Sequence, residues 1–277
     1  MKISVITVCF NSENTIEKTI LSVLNQTYAN IEYIIIDGNS TDKTLEILEK
    51  YRNKFSYFLS EPDTGMYNAM NKGIKKATGE WIFILNSDDL FFNQNSVEHA
   101  VNHLKNYNGD ILLGDIYLDH TENPEIHNRI RNYKHLNIMQ IYYNGLYQQA
   151  MFYRRNIFER LGYFDENYKI ISDVDWFYKN HKNLQIKYIP LVFCKFRIGG
   201  RSASEKDERD ILKINYLVKW QMNFYQNLKT AEKKFHWFAH KYFRSIARNK
   251  KISDFIRNIF WNSINNLMGW KIQMIKD

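Results

Sequence analysis

The chain has 277 residues, of which 44% are hydrophobic and 25% charged, and its formal net charge is +8. Apolar and aromatic residues occur throughout, which excludes a disordered chain, and no apolar run approaches the ~20 residues that span a bilayer, which excludes a transmembrane helix. The cysteines, Cys9 and Cys194, lie in strand-like apolar runs. We therefore expect reduced core thiols in a cytoplasmic protein without a signal peptide.

Strand and helix signals alternate through the first ninety residues. Short apolar runs predict buried strands, and apolar residues at helical spacing predict the helices between them. The predicted strands are Ile3–Cys9, Tyr33–Ile36, Phe55–Leu59 and Trp81–Leu85. Asn14 and Glu17 stand at capping-box spacing ahead of the first helix. This β-α-β-α-β-α-β order predicts an α/β fold with a mainly parallel sheet flanked by helices.

The pattern changes after residue 110. Strand-like runs at Ile111–Tyr117 and Ile186–Phe196 flank loops and one helix over Arg154–Leu161. We expect antiparallel or mixed strands here, which complete the sheet and form a wall of an acceptor site. From residue 205 onward the chain reads as mostly helical.

Acidic residues follow three of the predicted strands, where parallel sheets bind ligands. The adjacent carboxylates of Asp88 and Asp89 predict an Mg²⁺ or Mn²⁺ site, although they would also serve to cap the next helix. Asp37 would accept a hydrogen bond from a nucleobase or from the backbone of its own turn. Asp63 would face the same site or cap the helix that follows it.

A second acidic cluster contains Asp173 and Asp175. On a helix these side chains diverge by about 200°, so only one can face a given pocket. One interpretation makes that residue a general base, and the other makes both of them acids of a helix N-terminus.

Glycine-rich phosphate loops are missing from the sequence. Neither G-x-x-x-x-G-K-[ST] nor G-x-G-x-x-G after the first strand occurs. This disfavours NAD(P) dehydrogenases and P-loop hydrolases, and a bound phosphate would need a metal and backbone amides.

Five stretches, in order, resemble glycosyltransferase family 2, the inverting family with the GT-A fold. They are ISVITVCFNSENTIEKTILSVLNQTY, YIIIDGNSTDKT, SEPDTGMYNAMNKGIKKATGEWIFILNSDD, QQAMFYRR and LGYFDENYKIISDVDWFYK. Within the family, the chain looks most like the transferases of bacterial capsule, O-antigen and other surface polysaccharides. The resemblance implies a catalytic domain over 1–204, with a nucleotide-sugar-binding half over 1–109 and an acceptor-side half over 110–204. A basic, aromatic extension would then occupy 205–277.

The resemblance also implies a role for each matching residue. Asp173 would be the catalytic base, and Asp88 and Asp89 would bind Mn²⁺ or Mg²⁺ on the diphosphate. The residues that it places around the nucleotide sugar are Thr7, Phe10, Asn11, Glu13, Asp37, Asp63, Ser87 and Asp88.

This chain departs from the family pattern at three positions. The usual Asp-Asp-Gly is Asp37-Gly38-Asn39, the DXD triplet begins with Asn86, and Ser172 replaces the Glu before the base. It is therefore open whether Asp88 or Asp89 is the main metal ligand.

Four further residues are candidates for substrate contacts. Gln148 and Gln149 would hydrogen-bond sugar hydroxyls or pack within the fold. Arg197 and Arg201 flank a pair of glycines and would reach the diphosphate or remain surface cations.

The implied reaction moves a hexosyl or N-acetylhexosaminyl group from a nucleoside diphosphate sugar, UDP-linked, to a hydroxyl of a lipid-linked glycan, with inversion. The alternatives are a sugar-nucleotide pyrophosphorylase-like nucleotidyltransferase and a non-catalytic nucleotide-binding protein. The loop after the first strand lacks the glycines and basic residues that the pyrophosphorylase would need.

The net charge is unevenly distributed. Residues 1–204 contain 23 basic and 23 acidic side chains, whereas residues 205–277 contain 15 and 7. Cations mixed with aromatic residues predict that 229–277 contact an anionic membrane surface, which would place the protein on the cytoplasmic face of the inner membrane. The alternative is that these aromatic residues pack on the catalytic domain. No nucleic-acid-reading motif is found, so we expect no nucleic-acid partner.

Overall fold

A computed structural model of the chain describes residues 1–120, 127–134 and 146–199, together with a short strand at Met274–Ile275. Arg201 lies outside the described residues. So does the predicted extension over 205–277, with its predicted membrane-contact segment over 229–277, except for Met274–Ile275. None of the described helices has the length and apolar character needed to cross a bilayer.

The described elements alternate between strands and helices in the first half of the chain. The strands are β1 (Ile3–Cys9), β2 (Ile31–Asp37), β3 (Tyr57–Ser60), β4 (Trp81–Ile84), β5 (Leu90–Phe91), β6 (Ile111–Asp119), β7 (Arg129–Arg131), β8 (Met151–Arg154), β9 (Ile186–Arg197) and β10 (Met274–Ile275). The helices are α1 (Ile16–Leu24), α2 (Thr44–Lys50), α3 (Met66–Lys76), α4 (Ser96–Leu104), α5 (Asn156–Leu161) and α6 (Ser172–Asn180). Short 3₁₀ turns lie at Arg52–Lys54, Gln148–Ala150 and His181–Asn183.

One mixed sheet organises these elements. Its strand order is β10-β9-β6-β8-β4-β1-β2-β3, with β5 paired to β9 and β7 paired to β6. The strands β1, β2, β3 and β4 run parallel, and β8 runs antiparallel to both β4 and β6. The prediction of a mainly parallel first half that antiparallel strands complete is therefore confirmed.

Helices cover the sheet because its central strands are apolar on both faces. Every residue of β1 is buried, and α3 contacts both β1 and β2. Gly73 permits this close approach, since a Cβ atom there would clash with Cγ2 of Ile6 and lie 3.5 Å from Cγ1 of Ile36. Cys9 and Cys194 are free and buried, as predicted.

Local details differ from the sequence-based predictions. The capping box is not formed, because no side chain caps α1 and Glu17 instead accepts a hydrogen bond from the Tyr51 hydroxyl. The predicted helix over Arg154–Leu161 begins two residues later, since Arg154 ends β8. The strand β8 was not predicted. Asp88 and Asp89 do not cap the helix that follows them, because β5 comes directly after Asp89 and α4 begins at Ser96.

Candidate active site

The loops after β1 and β2 are hydrogen-bonded to each other at the carboxyl edge of the parallel strands. The backbone N–H of Asn11 donates to Ser40 Oγ at 2.9 Å, and Asn11 Oδ1 accepts from the N–H of Thr41 at 2.8 Å. Glu13 Oε2 accepts from the N–H of Lys43 at 3.0 Å. The side chains of Asn11 and Glu13, which were predicted to contact the nucleotide, thus join the two loops.

Asp37 lies beneath these loops with its carboxylate fully buried. Oδ2 accepts hydrogen bonds from the N–H of Ser40 at 3.0 Å and from Ser60 Oγ at 2.7 Å, and Oδ1 accepts from Ser40 Oγ at 2.5 Å. Asp37 therefore accepts a hydrogen bond from the backbone of its own turn, which is one of the two roles considered for it. The burial of Cys9 raises the pKa of its thiol, and the Asp37 carboxylate beside it raises that pKa further.

Phe10, Gly38 and Asp63 meet at the same edge. Phe10 is 50% exposed, and a Cβ atom added to Gly38 would lie 3.4 Å from its ring and 2.5 Å from Asp63 Oδ2. Asp63 also accepts a hydrogen bond from the N–H of Gly65 at 2.9 Å, just before α3. Thr7 is placed differently, because its buried hydroxyl lies 3.2 Å from the Tyr33 hydroxyl within the sheet.

Asp88 and Asp89 follow β4 and have different surroundings. Asp89 is fully buried; its Oδ2 accepts from Gln149 Nε2 at 2.8 Å and its Oδ1 from the N–H of Arg197 at 3.0 Å. Burial, followed by the neighbouring charge of Asp88, raises the pKa of Asp89 well above its ordinary value. Asp88 is only half-buried. Ser87, just before it, places its hydroxyl 2.8 Å from that of Ser12.

The surroundings of this pair fit a divalent cation that takes other ligands from its substrate. No three His, Cys, Asp or Glu side chains in the described ranges come together as a metal site. Mg²⁺ and Mn²⁺ sites often need only one or two carboxylates, because waters and substrate phosphates complete the shell. Asp88 is the more exposed of the two, and a carboxylate that shares a cation with waters and substrate needs such exposure.

Gln148 and Gln149 are both buried in the 3₁₀ turn ahead of β8. Gln149 holds Asp89, and Gln148 Nε2 lies 3.4 Å from Asn86 Oδ1. Two roles were considered for these glutamines, hydrogen bonds to sugar hydroxyls and packing within the fold. The contacts in the structure are of the second kind. They fix the loop that carries Asp88 and Asp89.

Asp173 stands in the first turn of α6, and its Oδ1 accepts a hydrogen bond from the Tyr67 hydroxyl at 2.8 Å. Burial raises the pKa of Asp173 to about 6, while the bond from Tyr67 and nearby backbone N–H groups act in the opposite direction. Asp175 lies apart from this arrangement and forms an ion pair with Lys179 at 2.6 Å. The two acids therefore diverge, as predicted from their spacing.

Two residues of α3 were not identified from the sequence, Tyr67 and Asn71. Both are buried, and Asn71 hydrogen-bonds the backbone of Phe164, in the segment before α6. The helical pattern of Met66, Met70 and Ile74 identified the apolar face of α3. The only available signal for Tyr67 and Asn71 was their place within the quoted stretch SEPDTGMYNAMNKGIKKATGEWIFILNSDD.

Comparisons with known proteins agree with this geometry. The sequence model described as Glycosyl transferase family 2 matches residues 4–186. A PGL/p-HBAD biosynthesis glycosyltransferase of Mycobacterium bovis is 25% identical over 69% of this chain and 75% of its own length. An uncharacterized glycosyltransferase of Mycobacterium tuberculosis is 32% identical over 72% of this chain and 76% of its own length.

Two solved structures are similar in fold. S. aureus TarS 1–349 in complex with UDP-GlcNAc has a TM-score of 0.62 and 26% identity; the match covers 74% of this chain and only 61% of that structure. A mannosyltransferase from Pyrobaculum calidifontis, in complex with GDP-Man and Mn²⁺, has a TM-score of 0.58 and 16% identity, over 98% of this chain and 81% of that one. Since the family model covers most of the chain, the protein belongs to glycosyltransferase family 2, and its mixed α/β sheet is of the GT-A type.

Proposed function

We propose that the protein transfers a sugar from a UDP-linked donor to a hydroxyl of a glycan acceptor, with inversion at the anomeric carbon. The observation that carries this proposal is Asp173, a half-buried carboxylate that accepts a hydrogen bond from the Tyr67 hydroxyl. Its pKa of about 6 leaves it mostly ionised at neutral pH, and a general base works best when its pKa lies near the operating pH.

Asp173 would act in a single displacement. It accepts the proton of the acceptor hydroxyl while that oxygen bonds to the anomeric carbon. The bond from this carbon to the diphosphate oxygen breaks, and its electron pair leaves with the nucleoside diphosphate. General-base assistance of this kind contributes about 10²–10⁴-fold to the rate.

The donor would bind at the carboxyl edge of β1, β2 and β4. Phe10, half exposed there, offers a flat apolar face for a nucleobase, and Asp63 lies beside it. Asp88 would hold Mn²⁺ or Mg²⁺, with Asp89 supporting the loop. A divalent cation at that position supplies charge neutralisation for the leaving diphosphate.

For the substrates, we propose a hexosyl or N-acetylhexosaminyl donor and a lipid-linked glycan of a bacterial surface polysaccharide as acceptor. The TarS complex with UDP-GlcNAc supports the donor class. The excess of cations in residues 205–277 supports an acceptor held at an anionic surface.

The test compares Asp173→Asn with Asp175→Asn, the same change two residues away on α6. UDP release from a panel of UDP-sugars would be measured with Mn²⁺, alongside UDP affinity by calorimetry. We expect Asp173→Asn to lose at least about a hundredfold in turnover with UDP affinity retained, because the proposed base acts on the acceptor hydroxyl. Asp175→Asn should keep turnover, since that side chain pairs with Lys179. Near-normal turnover in Asp173→Asn would show that the base is another residue.

A further inference from the structure

The first two turns of α3 hold the segment that carries Asp173. Tyr67 donates to Asp173 Oδ1 at 2.8 Å. One turn later, Asn71 Nδ2 donates to the carbonyl of Phe164 at 2.8 Å, and Asn71 Oδ1 accepts from the N–H of Phe164 at 3.1 Å. Because this amide pairs with both backbone groups of one residue, it fixes where the chain begins its approach to α6.

Glu166, which lies between Phe164 and Asp173 in the chain, makes a third contact with α3. Asn68 donates to Glu166 Oε2 at 2.7 Å, and Asn71 donates to Glu166 Oε1 at 2.8 Å. These bonds lower the pKa of Glu166, so it remains a charged acceptor at neutral pH. The same helix face thus contacts the segment before α6 and the first turn of α6.

Packing leaves the Tyr67 ring little freedom. Tyr67 is 1% exposed, and its ring centroid lies 5.7 Å from that of Phe164. Phe164 in turn packs against Trp176 of α6, with centroids 6.2 Å apart. A buried ring with a fixed neighbour presents its hydroxyl in one direction, which is what a hydrogen bond with a defined geometry requires.

We propose that Tyr67 is a positioning residue for the general base, Asp173. Tyr67 donates a hydrogen bond to Asp173, and its helix, α3, also holds the segment that precedes α6. This proposal rests on the role of Asp173 in the proposed function. It assigns a task to the Met-Tyr-Asn-Ala-Met-Asn stretch of α3 beyond its apolar packing.

The direction of this hydrogen bond has a chemical consequence. A phenol that donates to a carboxylate favours its ionised form, so Tyr67 opposes the rise in pKa that burial imposes on Asp173. Tyr153 of β8 is a second phenol near Asp173, and the charge of Asp173 contributes to the raised pKa of Tyr153. Burial raises the pKa of both phenols well above 10, so neither ionises while Asp173 titrates.

The first test needs no substrate. Free energies of unfolding would be measured from pH 4 to pH 8 for the unchanged chain and for Asp173→Asn, each with and without the Tyr67→Phe change. Because the folded-state pKa of Asp173 lies above its unfolded value, ionisation disfavours folding as pH rises between the two. The stability of Asp173→Asn relative to the chain that keeps Asp173 should therefore grow with pH and level off above about pH 6.

In the Tyr67→Phe background, the pH at which this stability difference levels off should rise by about one to two units. The pKa of Asp173 rises by that interval because its ionised form loses a hydrogen bond. Tyr107→Phe is the matched control: Tyr107 is buried, and its hydroxyl donates to the Gln185 carbonyl at 2.7 Å, away from Asp173. It should leave the curve unchanged. Superimposable curves with and without the Tyr67→Phe change would overturn the proposal.

The second test measures UDP release from UDP-GlcNAc with Mn²⁺. In Tyr67→Phe, the acid limb of the profile of kcat against pH should move to higher pH by the same interval. We expect kcat at pH 7 to fall two- to tenfold, while the KM for UDP-GlcNAc is unchanged. A changed KM with an unshifted profile would also overturn the proposal. If wild-type protein released UDP from no UDP-sugar, the proposed function would fail, whereas the stability curves would still report the Tyr67–Asp173 interaction.

Discussion

Asp88 and Asp89 are adjacent carboxylates with different surroundings. Asp89 is buried and accepts hydrogen bonds from Gln149 and from the backbone of Arg197. Asp88 is half-buried beside it. The charge of Asp88 contributes to the raised pKa of Asp89, so a cation at Asp88 would relieve the repulsion between the two.

This contrast predicts the stability of alanine variants. Asp89→Ala should lower the free energy of unfolding by about 1–3 kcal/mol, because two donors lose their acceptor, partly offset by removal of a buried charge. Asp88→Ala should lower it by less than about 1 kcal/mol, while weakening the Mn²⁺ dependence of UDP release. Urea denaturation measures the first effect and metal titration the second. Equal destabilisation by both changes would contradict the separate roles.

At the scale of elements, the strands of the parallel half were predictable and β8 was not. The strands β1 and β4 are buried throughout, and β2 is buried from Tyr33 onward, so their buried parts read as largely apolar runs. The sequence of β8, Met-Phe-Tyr-Arg, runs directly into a helical pattern. Its strand conformation depends on pairing with β4 and β6, which are distant in sequence.

The candidate site was also predictable only in part. Spacing indicated that Asp173 and Asp175 diverge, and the resemblance named Asp173. Nothing in the spacing indicated that Gln149 would hold Asp89 or that Tyr67 would reach Asp173, because each contact joins elements far apart in the chain.

The packing of α3 on β1 predicts the effect of a change at Gly73. Gly73→Ala should improve helix propensity by about 1 kcal/mol, but its Cβ would clash with the fully buried Ile6. Overpacking of a core costs about 1–3 kcal/mol, so we expect a net loss of stability in chemical denaturation. Displacement of α3 should also lower turnover through Tyr67.

A double-mutant cycle separates this clash from other effects. In an Ile6→Ala background, the clashing methyl group is absent, so Gly73→Ala should cost less or become neutral. An equal cost in both backgrounds would contradict the proposed cause.

At the scale of the whole molecule, the net charge of +8 comes from residues 205–277. Residues 1–204 are balanced, and residues 205–277 contain 15 basic and 7 acidic side chains. Apart from Met274 and Ile275 of β10, the residues predicted to contact an anionic membrane, 229–277, lie outside those described. Liposome flotation tests this prediction: full-length protein should float with anionic vesicles, at low salt more than at high salt, and a chain ending near residue 228 should float less. Equal flotation of both chains would contradict the prediction.

The hydrogen bonds between the loops after β1 and β2 affect how a nucleotide-sugar substrate would bind. Asn11 and Asn39 both adopt positive φ angles, 48° and 65°. Asn11 joins the two loops by donating its backbone N–H to Ser40 Oγ and by accepting, through Oδ1, from the N–H of Thr41. Much of the entropy lost on ordering these loops is therefore lost during folding rather than during binding. Preorganisation of this kind favours affinity, since a ligand need not immobilise the residues that it meets.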